Sequence, residues 1–196
     1  MSFGATLLAN TTSNNGGAAG WGMFFDVTAV STTLNITSMT TFSSAPVGGS
    51  FSIEVFRRST SALGGALTGA GSSSSGWTSL GIASATQGAV VNGESLAIDI
   101  PGITVVGGTT VGVALVFINA GPNYFGTGSA PLQDFTDGVL SLKTGDARSA
   151  PFTQTGTFFS SRGLSGSLTY EAVPEPMTLL GLAAISGYLA QKRKKV

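Results

Sequence analysis

At 196 residues the chain has room for one hydrophobic core and none for a second catalytic domain. Glycine, serine and threonine fill 29, 25 and 24 positions and charged residues make up only 9%, yet apolar residues reach 42% and include twelve phenylalanines, enough to bury a core and to argue against disorder. Histidine and cysteine are absent, which excludes Ser-His and Cys-His relays, thiolate or imidazole metal sites, CxxC redox chemistry and disulfides.

The formal net charge of zero hides an uneven distribution. Four of the nine cations form the terminal run Lys192, Arg193, Lys194, Lys195, and up to Val173 five cations stand against eight acids. Only Arg57 and Arg58 are adjacent in this body, so it lacks the clustered basic face that a nucleic-acid backbone requires.

In chain order, apolar residues recur every second position rather than every 3.6. Examples are Phe51, Ile53 and Val55, then Leu96, Ile98 and Ile100, then Val111, Val113, Leu115 and Phe117. The pattern predicts strands over 3–9, 22–29, 32–42, 50–58, 77–85, 94–100, 109–118, 138–143, 154–159 and 164–172. Turn signals separate them: Asn14-Asn15-Gly16-Gly17, Pro46-Val47-Gly48-Gly49, the Gly/Ser tract at 69–76, Asn92-Gly93, Gly107-Gly108 and Asp137-Gly138. No helical stripe long enough for a βαβ crossover interrupts the body, so pairing should be antiparallel. The expectation is an all-β domain over 1–172, a jelly-roll-like antiparallel sandwich of about ten strands, followed by a C-terminal hydrophobic helix within 173–196. Segment 109–118, apolar on both parities, should be central; 32–42, with a Thr/Asn/Ser-rich face, should be an edge; Ser72 to Ser75 should form a flexible loop tip.

Without histidine or cysteine, catalysis would fall to carboxylates, and the sequence shows no pair placed for it. Glu54 and Asp99 alternate with apolar neighbours and should face solvent, while Asp137-Gly138 and Asp146 read as turns. No enzyme activity and no cofactor is expected, with calcium the one candidate ion: Asp134, Asp137 and Asp146 lie close in sequence around 138–143, although no DxDxDG loop is present. Glycan contact through an exposed ring is the other option, with Trp21, Trp77, Tyr124 and Phe125 as candidates. Trp77 reads equally well as a tryptophan at the rim of the core, and Tyr124 and Phe125 sit in a glycine-bounded loop.

The pattern changes after Val173. Pro174-Glu175-Pro176 forbids both strand continuation and helix. Met177 to Ala190 then runs fourteen residues without a charge, its apolar residues including Met177, Leu179, Leu180, Leu182, Ile185 and Leu189. As a helix this run spans ~21 Å, short of a ~30 Å hydrocarbon core, but Lys192, Arg193, Lys194 and Lys195 can snorkel and mark a cytoplasmic end.

The order of PEP tripeptide, apolar helix and basic terminus resembles the PEP-CTERM sorting signal. That resemblance implies export, transient anchoring in the inner membrane, recognition by an exosortase, and removal of the tail at the surface of a Gram-negative, exopolysaccharide-producing bacterium. Such proteins begin with a secretory signal, whereas Met1 to Asn10 has neither a basic n-region nor an apolar h-region of ~7–15 residues and reads as a strand. The body is similar to a sandwich module of secreted bacterial proteins through Met23 to Ala29, Glu54 to Arg58, Trp77 to Gly81 and Asp137 to Leu142, a likeness that implies no particular activity. Three readings therefore stand: an exported, non-enzymatic surface or matrix protein associated with exopolysaccharide, a carbohydrate-binding or carbohydrate-active module, and a permanently tail-anchored membrane protein.

Overall fold

The computed structural model describes residues 4–65, 68–129 and 132–174. Within them lie thirteen strands and one short 3-10 turn at Ala70–Ser72. The strands are β1 (Ala5–Leu8), β2 (Asn15–Gly16), β3 (Gly22–Ala29), β4 (Leu34–Ser43), β5 (Ser50–Arg58), β6 (Thr78–Thr86), β7 (Ile98–Val105), β8 (Thr110–Phe117), β9 (Pro122–Gly126), β10 (Asp134–Thr136), β11 (Leu140–Arg148), β12 (Phe158–Leu164) and β13 (Gly166–Ala172). Every pairing between them is antiparallel. The hydrogen-bonded order is β1-β13-β4-β9-β12-β11-β3-β8-β5-β6, with β7 beside β4, β2 beside β9 and β10 beside β11. The fold is all-β and antiparallel.

Period-two alternation explains why the main strands fall where they do: β3 and β5 occupy the expected 22–29 and 50–58. In β3, Phe25 and Val27 enter the main core, while Phe24 turns to the opposite face and packs with Ala62, Ala114, Phe56, Trp77 and Phe152. The main core also takes Leu34 and Ile36 from β4, Ile53 and Val55 from β5, Val113 and Leu115 from β8, Leu140 and Leu142 from β11, and Leu168 and Tyr170 from β13. As expected, β8 is central, paired with β3 and β5 and buried on both parities over Val111 to Leu115.

Two expectations are corrected. The 32–42 segment is interior rather than an edge: β4 pairs with β13 and β7, and its last residues, Phe42 and Ser43, pair with β9. Part of its polar face has protein partners: the Thr40 hydroxyl bonds Glu94 at 2.5 Å and Ser167 at 2.9 Å. Asp146 is not in a turn but within β11, just after a register shift at Gly145. A Cβ on Gly145 would stand 2.1 Å from the Phe24 carbonyl oxygen, so glycine lets the bulged backbone approach β3.

The 94–100 strand is displaced to Ile98–Val105 and contains Pro101. Proline is tolerated because β7 pairs with β4 alone among the described strands. In the serine tract, Ser72 is buried and its hydroxyl donates to the Gly69 carbonyl, whereas Ser73 to Ser75 are exposed. No helix among the described residues is long and apolar enough to cross a membrane. Glu175, Pro176, the apolar run from Met177 and the basic cluster Lys192 to Lys195 lie outside the described residues.

Candidate functional site

The three aspartates considered for calcium each have other engagements. Asp134 is exposed and pairs with Lys143 at 3.5 Å. Asp137 forms the expected turn: its Oδ1 accepts the Val139 and Leu140 N–H groups at 2.9 Å each, and its Oδ2 accepts the Tyr170 hydroxyl at 2.6 Å. Burial pushes the Asp137 carboxyl up, but these donors outweigh it and hold the group below its ordinary value. The same contact works in reverse on Tyr170, where burial and the facing carboxylate push the phenol up to about 12. Asp146 is buried, its Oδ2 3.4 Å from Arg148 Nη2, and burial pushes it up to about 6 against the opposing pull of that guanidinium. Among the described residues no three carboxylates gather to hold a metal ion.

Of the aromatic candidates, Tyr124 is buried and Trp21, Trp77 and Phe125 are half-buried. Trp77 is half-buried, donates its indole N–H to the Ala70 carbonyl at 2.9 Å, and meets Phe24 edge-on at 5.6 Å and Phe152 at 5.5 Å, with Arg58 over its ring at 5.4 Å. This is the core-rim role. Trp21 stacks on Phe159 at 5.4 Å. Tyr124 is buried within β9, and burial raises its phenol pKa despite the opposing influence of Arg162. Phe125, half-buried, lies opposite Gly163 on β12. Of the sorting tripeptide, Pro174 is described: it is exposed and follows Val173, whose N–H bonds the Thr33 carbonyl at 2.8 Å.

One polar concavity is built from turn residues. A cleft of about 520 Å³ is lined by Ser13, Asn14, Asn15, Gly16, Val91, Asn92 and Asn123. Its volume falls in the ~300–1,000 Å³ range of small-molecule sites, and no charged side chain lines it. Pairing of β2 with β9 sets Asn15 opposite Tyr124 and Gly16 opposite Asn123. Asn14 clamps that pair, donating to the Gly126 carbonyl at 2.9 Å and accepting the Gly126 N–H at 2.7 Å, while Asn15 Nδ2 donates to Asn14 Oδ1 at 2.8 Å.

The opposite wall is the loop after β6. Buried Gln87 holds it from inside: its amide donates to the Val90 and Gly93 carbonyls at 3.0 and 2.9 Å, and its Oε1 accepts the Ser43 hydroxyl at 2.6 Å. Asn92 stands at φ 57°, in the left-handed region that asparagine tolerates better than other side-chain-bearing residues. Asn123 Nδ2 joins the two walls by donating to Asn92 Oδ1 at 3.2 Å. Asn15 Oδ1, Asn123 Oδ1 and Asn92 Nδ2 make no hydrogen bond within the described residues, so the lining residues keep two acceptors and a donor without a protein partner.

Sequence reasoning found Asn14-Asn15-Gly16 and Asn92-Gly93 only as turns, and Asn123 only as part of a loop. The signal was present, two Asn-Gly steps, but their convergence depends on long-range pairing. Compared with known proteins, the chain matches no family model and no curated protein.

Proposed function

We propose that this protein is an exported, non-enzymatic bacterial surface or matrix component, whose body is a two-layer, jelly-roll-like sandwich and whose C-terminal segment is a sorting signal read by an exosortase. The observation that carries this reading is the fixed order Pro174-Glu175-Pro176, uncharged Met177 to Ala190, then Lys192 to Lys195. The exit geometry supports it: β13 ends at Ala172, and Pro174, which has no N–H to donate, follows in the open. A non-enzymatic role is supported by the lack of histidine and cysteine and by the structural engagements of Asp26, Asp137 and Asp146.

Two layers are supported by the behaviour of β4. Most of that strand belongs to the ladder of β1, β13 and β7, while its last two residues join the ladder that contains β9. Apolar residues of both ladders meet in one core, Ile36, Ile103 and Leu168 from the first and Phe25, Ile53 and Leu115 from the second.

The test supplies an N-terminal export signal and an exosortase-bearing host, and replaces Pro174-Glu175-Pro176 by three alanines. The apolar run and basic stop stay intact, so membrane insertion persists and only enzyme recognition is lost. Intact mass should show the parent without a C-terminal piece and the variant at full length in the membrane. Each chain at its own full-length mass, with the same fractionation, would replace sorting by permanent tail anchoring.

A further inference from the structure

We propose that the asparagine-lined cleft between residues 13–16, 91–92 and 123 binds a neutral saccharide. A sugar hydroxyl both donates and accepts, and a primary amide offers both functions on one planar group. Here Asn15 Oδ1, Asn123 Oδ1 and Asn92 Nδ2 have no internal partner, and the groups behind them are already fixed by the Asn14–Gly126 clamp, the Asn123–Asn92 bond and Gln87. Positioned amides lose little freedom on binding, which favours association.

The lining also selects by what it lacks. With no lysine or arginine it offers nothing to balance a phosphate or carboxylate, and with no carboxylate it lacks the anionic ligands that balance a hard cation's charge. Val91, 69% exposed at the rim, supplies an apolar surface for the C–H face of a sugar ring. Gly16 keeps Asn123 in place, because a Cβ there would stand 2.4 Å from Asn123 Oδ1. No aromatic ring lines the cleft, so affinity rests on amides and one aliphatic group and should be of millimolar order. The proposal stands independently of export, since it concerns only the lining of the body.

The experiment titrates the isotope-labelled full chain, in detergent, with neutral oligosaccharides built from glucose, mannose, galactose and N-acetylglucosamine, each beside a glucuronate-containing or sulfated counterpart. Side-chain amide resonances are followed by NMR. The expected result is saturable shifts of the Asn15, Asn92 and Asn123 amides with at least one neutral sugar, and weaker binding of its anionic counterpart. Asn92→Gly removes one amide and the acceptor of Asn123 Nδ2 while keeping a residue suited to φ 57°, and should weaken binding about tenfold, with backbone shifts confined to the residues around 92 and 123. Three results would overturn the proposal: no saturable shift with any neutral sugar, tighter binding of the anionic series, or binding that Asn92→Gly leaves untouched.

Discussion

Asp146 has two close influences of opposite sign. Burial disfavours its ionised form and Arg148 favours it, and burial prevails, leaving the carboxyl at about 6. A folded-state value above the unfolded one means that the folded chain holds the proton more tightly. Stability should therefore fall as pH rises from about 4 to 6 and stay at the lower level above that, by up to about 3 kcal/mol. Asp137 acts in the other direction: its lowered value contributes stability above the ordinary carboxylate range, lost as pH falls through the folded-state value. In Asp146→Asn the decline between about pH 4 and 6 should disappear while the loss at lower pH persists. Urea unfolding at stepped pH measures both, and an unchanged decline would remove Asp146 as its source.

At the scale of elements, the loop between β5 and β6 folds over the outer face of β3. Asp26 accepts the Ser61 hydroxyl at 2.5 Å and the Ala62 N–H at 2.6 Å, Arg148 donates to the Gly65 carbonyl at 2.5 Å, and Trp77 closes the loop through Ala70. Trp77→Ala would open a void beside Phe24 and Phe152 and remove the bond to Ala70. Its expected cost is about 3 kcal/mol, read as a lower denaturation midpoint, with oligosaccharide binding at the asparagine cleft unchanged. Loss of sugar binding in a folded Trp77→Ala variant would instead give this ring a glycan role.

The same elements explain what was legible beforehand. Strands such as β3 and β5 announce themselves because their apolar residues alternate over eight and nine positions. Strand β9 does not: it begins at Pro122, ends at Gly126 and is held by pairing with β2, β4 and β12, partners that local pattern cannot name. Asp146 reads as a turn, whereas it lies within β11 beside a bulge at Gly145 that only the pairing with β3 and β12 reveals. Of the cleft, each asparagine turn was visible separately, but residues about thirty and eighty positions apart became one wall-to-wall site only through the β2–β9 ladder and the Gln87-held loop.

For the whole molecule, the main core of the described residues runs from Leu7 to Tyr170, and Pro174 and Pro176 bar the β13 ladder from continuing into the terminal segment. A chain ending at Val173 should therefore melt at nearly the same temperature as the full chain in the same detergent, as judged by calorimetry; a large fall would show that the terminal segment packs on the body. The pairing of first strand with last carries a further consequence. Ala5 to Leu8 find their partners at Ser167 to Tyr170, and β1 has no other neighbour in the strand order. A chain made in sequence cannot seat β1 until Ser167 to Tyr170 have been made, and closing so long a loop is slow. Strand β1 therefore stays without its ladder partner until β13 arrives, and the late strand of the body completes the pairing of the early one.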